Sequence, residues 1–413
     1  MSVVASETRA TRSQPLGMAP ARFLRDYWQK RPLLIRGFSP GGIDAISPND
    51  LAGLACEEAA LSRIVLRDAK RERWTLRNGP FRETEFAQLG NKDWTLLVQD
   101  VDKWDADVAA LLDRFRFIPS WRVDDVMVSY ATDGGGVGPH VDNYDVFLIQ
   151  ARGRRRWQIS VDGMRIPRRS PHIPVRTSQF EFRDDSELKL LREFAPTHEW
   201  TLDSGDALYL PPGVPHDGVA LGECMTCSVG MRAPAQAELL LDFAEFLAEP
   251  LGDDLRYADP DLAPARDANE IDDAALARLR AAMPQFTHVD KSTLAHWFGC
   301  FITRYRSAQI ATAPAQVRSA AYVRQRLPRA ILLRNPFSRF AWRRVGRAAE
   351  LFVAGEAWHC PLAFARLISA VREMHGKKVA AIAASGEALQ TLTALINAGH
   401  LQFARRRGGA ARR

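Results

Sequence analysis

His140 and Asp142 stand two residues apart in His140-Val141-Asp142, and His216 closes the stretch Leu210-Pro211-Pro212-Gly213-Val214-Pro215-His216. On a strand, side chains alternate, so residues two apart project from one face. A third ligand from a distant strand completes a two-histidine, one-carboxylate face and leaves about three positions of an octahedral metal open. That vacancy suits Fe(II), which must take an organic cosubstrate and O2 together. A His-x-Asp alone arises often by chance, but the setting of His216 adds weight. Asp203-Ser204-Gly205-Asp206 reads as a tight turn, Ala207 to Leu210 as an apolar strand, and the proline-rich loop as a rigid guide that aims His216 inward.

Two neighbouring segments bear on the same chemistry. The glycine-rich Asp133 to Pro139 is followed by neither Lys-Ser/Thr nor a helix, so it is no phosphate loop. Its glycines allow a bend and a close approach of substrate; a plain loop connecting two strands is the alternative. In Gly153-Arg154-Arg155-Arg156-Trp157, strand alternation puts Arg155 and Trp157 on one face and Arg154 and Arg156 on the other. With Trp157 inward, Arg155 becomes a buried cation that needs an anion. The distal carboxylate of 2-oxoglutarate is one such anion, held by charge-assisted hydrogen bonds. A structural pairing with a buried Asp is the alternative.

The elements that must position these residues come in three textures. Residues 21–31 have helical apolar spacing, Pro32 ends that helix, and Leu33 to Gly37 reads as a strand. Short strands and small helices alternate from about 60 to 130, and Trp121 to Ala131 is the first long strand. Further strands are expected at Tyr144–Gln150, Arg154–Val161, Glu199–Asp203, Ala207–Leu210 and Cys224–Met231, separated by Gly, Pro and Asp turns as in an antiparallel barrel or jelly roll. Pro167 to Pro196 has too few strand signals and reads as an insertion or a helical excursion. After Pro234, helices are expected at 235–251 and 272–283, with a polar linker at 252–271. Beyond about 315, helices alternate with short strands, those at 364–374 and 386–397 are amphipathic, and Gly399 is a candidate C-cap.

Composition bounds the rest. With 413 residues, 46% hydrophobic and 25% charged, the chain is long enough for two or three globular domains. No apolar run approaches the ~20 residues of a membrane span, and residues 1–19 read as a disordered leader. Five scattered cysteines fit a reducing, cytoplasmic setting, and Cys224-x-x-Cys227 reads as buried thiols on a strand. The net charge of +7 is unevenly spread. Residues 238–273 hold twelve acids and two bases, residues 301–350 eleven Arg and one acid, and the tail 404–413 five Arg. Such asymmetry points to nucleic acid or a charged protein partner, or to a solvated face.

His140-Val-Asp142-Asn-Tyr-Asp145, Gly153 to Trp157, Tyr209 to His216 and the amino-terminal Tyr27-Trp28-Gln-Lys-Arg31-Pro32 together resemble the JmjC-type cupin oxygenases. More narrowly, they resemble the bacterial ribosomal oxygenases that hydroxylate an arginine of a large-subunit ribosomal protein. The resemblance is dense over 20–234 and looser beyond. It implies a mixed fold, mainly β with α: a double-stranded β-helix over 20–234, a helical dimerisation region over 235–315 and a winged-helix-like domain over 316–403. It further implies a homodimer. It implies Fe(II) on His140, Asp142 and His216, 2-oxoglutarate held by Arg155 with a second contact at Ser129, O2 as cosubstrate, and Asp133 as an acid for a substrate guanidinium. A ribosomal protein is then the substrate, with contact to rRNA a further possibility and no membrane partner. Fold alone does not choose the target side chain. A histidyl or nucleic-acid-directed hydroxylase or demethylase, or a non-catalytic cupin binding module, stays open on the sequence.

Overall fold

A computed structural model describes residues 5–162, 180–251, 256, 258, 260, 273–283, 289–304, 311–383 and 386–404. The chain divides between Ala233 and Pro234 into two compact units.

The strands of the first unit are β1 (Ser6–Arg9), β2 (Leu33–Arg36), β3 (Ser62–Asp68), β4 (Arg73–Asn78), β5 (Trp94–Val98), β6 (Val123–Ala131), β7 (His140–Val141), β8 (Val146–Ile159), β9 (His198–Leu202), β10 (Ala207–Leu210) and β11 (Pro215–Met231). They hydrogen-bond in the order β1-β2-β10-β8-β11-β6-β5-β3-β4, with β7 on β11 and β9 on β8. This is the cupin β-sheet. Apart from the parallel β1–β2 pair, neighbouring strands run antiparallel.

Burial explains why β8 anchors the sheet. Its first half is apolar on both faces: Phe147 and Ile149 enter the main core with Phe23, Phe115 and Tyr209, while Val146 and Leu148 pack on the other side with Trp157 and Leu208. Each such side chain contributes roughly 1.5–3 kcal/mol of burial. The strands expected separately at 144–150 and 154–161 are therefore one strand. Gly153, at φ +67°, bends it without ending it, and a Cβ there would meet the Glu223 carbonyl at 2.2 Å. Likewise the strand expected at 224–231 is the second half of β11, whose register shifts between Leu221 and Met225.

Two further expectations are corrected at the amino terminus. Residues 6–9 are strand β1 rather than part of a disordered leader, and Leu16 and Met18 are buried behind it. The first helix is Pro20–Asp26, shorter than 21–31. Gln29 adopts φ +57° and gives its N–H to the Tyr209 hydroxyl at 2.8 Å, which ends helical pairing there. Of the expected insertion at 167–196, residues 167–179 lie outside the described residues, and Phe182 bridges Leu191 in the remainder.

The second unit begins with helices Gln236–Ala248, Asp273–Ala282 and Lys291–Thr303; most of the 252–271 linker lies outside the described residues. Then come helix Ala320–Arg326, strands β12 (Ile331–Arg334), β13 (Phe340–Val345), β14 (Ala348–Val353) and β15 (Glu356–Pro361), helix Leu362–Ala370, β16 (Glu373–His375), helices Gly376–Ile382 and Gly386–Asn397, and β17 (Leu401–Phe403). The helix expected over 364–374 stops at Ala370, because Glu373 and Met374 are drawn into pairing with β12. Gly399 caps the last helix at φ +82°, with its N–H on the Ile396 carbonyl and the His400 N–H on that of Leu395, the two bonds of a Schellman cap.

Candidate metal centre

β7 and β11 pair with His140 directly opposite His216, which places the two imidazole centroids 4.2 Å apart. Asp142 follows β7 by one residue, and its Oδ2 lies 3.6 Å from His216 Nε2. One donor atom from each residue falls within 4.8 Å of the other two, a spacing that a single ion can draw together. Each imidazole Nδ1 lies 2.9 Å from a carbonyl, Gly138 for His140 and Val214 for His216. A carbonyl only accepts, so Nδ1 carries the proton and Nε2 keeps its lone pair for a metal. Burial, and secondarily the charge of His140, brings His216 down to about 4, so it is a neutral ligand at ordinary pH. The donor set of two imidazoles and one carboxylate fits a divalent transition metal with open positions.

The chain matches the JmjC domain family over residues 110–239 and the ROXA-like winged helix over 284–402. It is 41% identical over 288 residues to the ribosomal protein uL16 3-hydroxylase of Escherichia coli K12, covering 69% of this chain and 71% of that one. This chain is a JmjC-domain ribosomal oxygenase. A probable ribosomal oxygenase of Haemophilus influenzae is 38% identical over 55% of this chain and 52% of its own. The crystal structure of E. coli ycfD superposes with a TM-score of 0.81 at 32% identity, covering 94% of this chain and 99% of that one. A structure of the same enzyme in complex with cobalt and 2-oxoglutarate gives 0.76 at 32% identity, with the same coverage.

In this ribosomal oxygenase the triad opens onto a cavity of about 400 Å³ that Arg155, Ser129 and Trp157 also line. Arg155 is 4% exposed, and among the described residues its Nε and Nη2 have no hydrogen-bond partner. Its guanidinium stands 5.7 Å from the centre of the Trp157 ring. A desolvated cation with two such N–H donors has the chemistry to hold a carboxylate. Ser129, on β6, is 3% exposed.

Asp133 is placed elsewhere. Its side chain is 51% exposed, pairs with Lys92 at 3.4 Å and accepts the Gly222 N–H at 2.9 Å. That backbone bond, with Lys92, holds its carboxyl below the usual range, and it does not line the cavity.

Two cavity residues escaped the sequence reading. Thr95 on β5 is fully buried, and its hydroxyl has no partner among the described residues; a hydroxyl inside the apolar run Trp94-Thr-Leu-Leu-Val98 was the available signal. Asp125 on β6 is 5% exposed and accepts from Gln99 Nε2 at 2.5 Å and the Asp100 N–H at 3.2 Å. Burial, then the carboxylates of Asp100, Asp124 and Asp102, push it up to about 7. The pair Asp124-Asp125 in a strand announces that one acid faces inward, without saying onto what. The Cys224 and Cys227 thiols are buried and free, and burial raises Cys227 to about 12.

Proposed function

We propose that this ribosomal oxygenase hydroxylates an arginine side chain of ribosomal protein uL16, using Fe(II), 2-oxoglutarate and O2. The observation that carries the reading is a two-histidine, one-carboxylate face sharing a cavity with Arg155, whose Nε and Nη2 have no partner among the described residues. When bound, the iron couples oxidative decarboxylation of 2-oxoglutarate to succinate and CO2 with insertion of one oxygen atom of O2 into a C–H bond.

The chain's own residues supply coordination, orientation and exclusion of water. His140, Asp142 and His216 hold the metal, with the two Nδ1–H groups fixed by carbonyls. Arg155 takes the distal carboxylate of the cosubstrate, with the Ser129 and Thr95 hydroxyls completing its shell. For the substrate guanidinium we assign Asp125, in the cavity, in place of the surface Asp133. A cation brought to Asp125 restores its charge, whereas a neutral histidine side chain would not, which favours arginine over histidine as the target. Leu188 and Leu190 form an apolar part of the cavity wall.

A homodimer is part of the same reading: Leu240 (63% exposed) and Leu241 (66%) stand out on the helix Gln236–Ala248, an apolar surface that a second copy would cover. Among the described residues no helix is long and apolar enough to cross a membrane, and a ribosomal substrate would place the enzyme in the cytoplasm.

The deciding test is mass spectrometry of a uL16 peptide incubated anaerobically with Fe(II), 2-oxoglutarate and the protein, then exposed to O2. One added oxygen on an arginine, absent with His140→Ala, is the expected result. Succinate formation without peptide oxidation would refute the substrate and leave the oxygenase.

A further inference from the structure

We infer that the winged-helix unit carries an RNA-backbone binding surface, and that this surface does not use the helix a winged fold ordinarily offers to nucleic acid. The inference rests on the ribosomal reading above for its choice of RNA.

Residues 318–378 hold thirteen Arg or Lys and three acids, Glu350, Glu356 and Glu373. Glu350 is buried between His296 and Arg343 and offsets little of that charge at the surface. The cations gather at one edge. Arg326 stands 6.0 Å from the Tyr322 ring and 5.3 Å from the Phe403 ring, and Arg318 stands 4.9 Å from Tyr322. Both rings are half-exposed. The turn after Arg326 carries Arg329, and the Gly376 N–H donates to the Ala330 carbonyl at 2.8 Å, which brings Lys377 and Lys378 beside that turn. Arg326, Arg329, Lys377 and Lys378 are all exposed, and among the described residues none of the four is held in an ion pair. β17 delivers the chain to the same edge, with Leu332 opposite Phe403 and the Ala404 N–H on the Ile331 carbonyl. The sequence then continues with five more Arg among residues 405–413.

In a helix-turn-helix the second helix enters the major groove and reads base edges. Here the successive helices are Gly376–Ile382 and Gly386–Asn397, and the second contains no Lys or Arg. Ala388, Leu389, Leu392, Leu395 and Ile396 of that helix are buried in the unit's own core. The charge lies on the neighbouring turn, so phosphates are contacted and base edges are not. Arginines interleaved with half-exposed Tyr322 and Phe403 suit RNA, whose splayed bases stack on such rings. An acidic polypeptide would use the charge and leave the rings idle.

The test is fluorescence anisotropy of the full chain with a labelled RNA hairpin of about 20 nucleotides across a salt series. Four to five phosphate contacts predict a slope of log K against log salt near about −4. Hairpins of unrelated sequence should bind alike. The exposed triple variant Arg329→Glu/Lys377→Glu/Lys378→Glu should flatten the slope by about 3 and weaken binding at least about tenfold. The milder Lys377→Gln/Lys378→Gln should lose about 2 of slope with an unchanged melting curve. Hydroxylation of the free uL16 peptide should be the same in all three proteins, which separates this surface from the catalytic reading. No salt-dependent RNA binding, or displacement of the RNA by polyglutamate at equal charge, would overturn the inference, whichever way the peptide assay turns out.

Discussion

Replacing Arg155 by Met should move cosubstrate affinity and stability in opposite directions. Arg155 is 4% exposed, and its Nε and Nη2 have no hydrogen-bond partner among the described residues. Two hydrogen bonds from a cation to a carboxylate contribute about 1.5–3 kcal/mol each. At about 1.4 kcal/mol per decade, the variant's apparent affinity for 2-oxoglutarate should fall roughly 100-fold or more. The effect should appear in KM for 2-oxoglutarate and in anaerobic titration calorimetry, with the KM for peptide little changed. Without cosubstrate, the same substitution removes a buried charge whose Nε and Nη2 lack hydrogen-bond partners among the described residues, and keeps most of the volume beside Trp157. Replacing such a charge by an apolar side chain is neutral or stabilising, by up to roughly 1–4 kcal/mol. The cosubstrate-free variant should therefore melt at or above the temperature of the parent. An affinity change under about threefold, or a cosubstrate-free variant that melts well below the parent, would show that Arg155 serves a structural partner instead.

Three further outcomes follow from the same geometry. His216 is held at about 4 against 6.5, so the unfolded chain takes up the proton first and the metal-free protein loses stability as pH falls from about 7 towards 4. The full loss approaches roughly 3 kcal/mol, and equilibrium urea denaturation across that range should show a correspondingly smaller slope in His216→Gln. Asp125→Asn should raise the KM for a uL16 peptide about tenfold or more without moving that for 2-oxoglutarate. In the parent, the peptide KM should drop as pH rises through about 7, where Asp125 ionises, and a parallel pH profile in the variant would remove Asp125 from the guanidinium site. Leu240→Glu with Leu241→Glu should yield a monomer by light scattering with peptide turnover retained; an unchanged mass would place the dimer contact elsewhere.

Local periodicity made much of this protein legible before any tertiary structure. Strand alternation set His140 and Asp142 on one face, and the parity of Arg155 with Trp157 separated it from Arg154 and Arg156; in the folded sheet Arg155 and Trp157 are both 4% exposed. The cap at Gly399 and the strand Ala207–Leu210 were equally local, because turn chemistry and short apolar runs act within a few residues. Other features depended on which distant strands abut. Val146, Leu148, Phe147 and Ile149 are all buried because β8 is covered on both faces, and that fusion of two expected strands is invisible to a period-2 pattern. A leader without apolar periodicity became β1 because β2 offered it an edge. Asp125 lies within β6 and Asp133 just beyond its end; the fold turned Asp133 out to Lys92 and Asp125 into the cavity. Alternation along the chain thus determined which residues share a face. Only the pairing of distant strands decided what that face looks onto, because register between strands far apart in sequence is set by burial of the whole core.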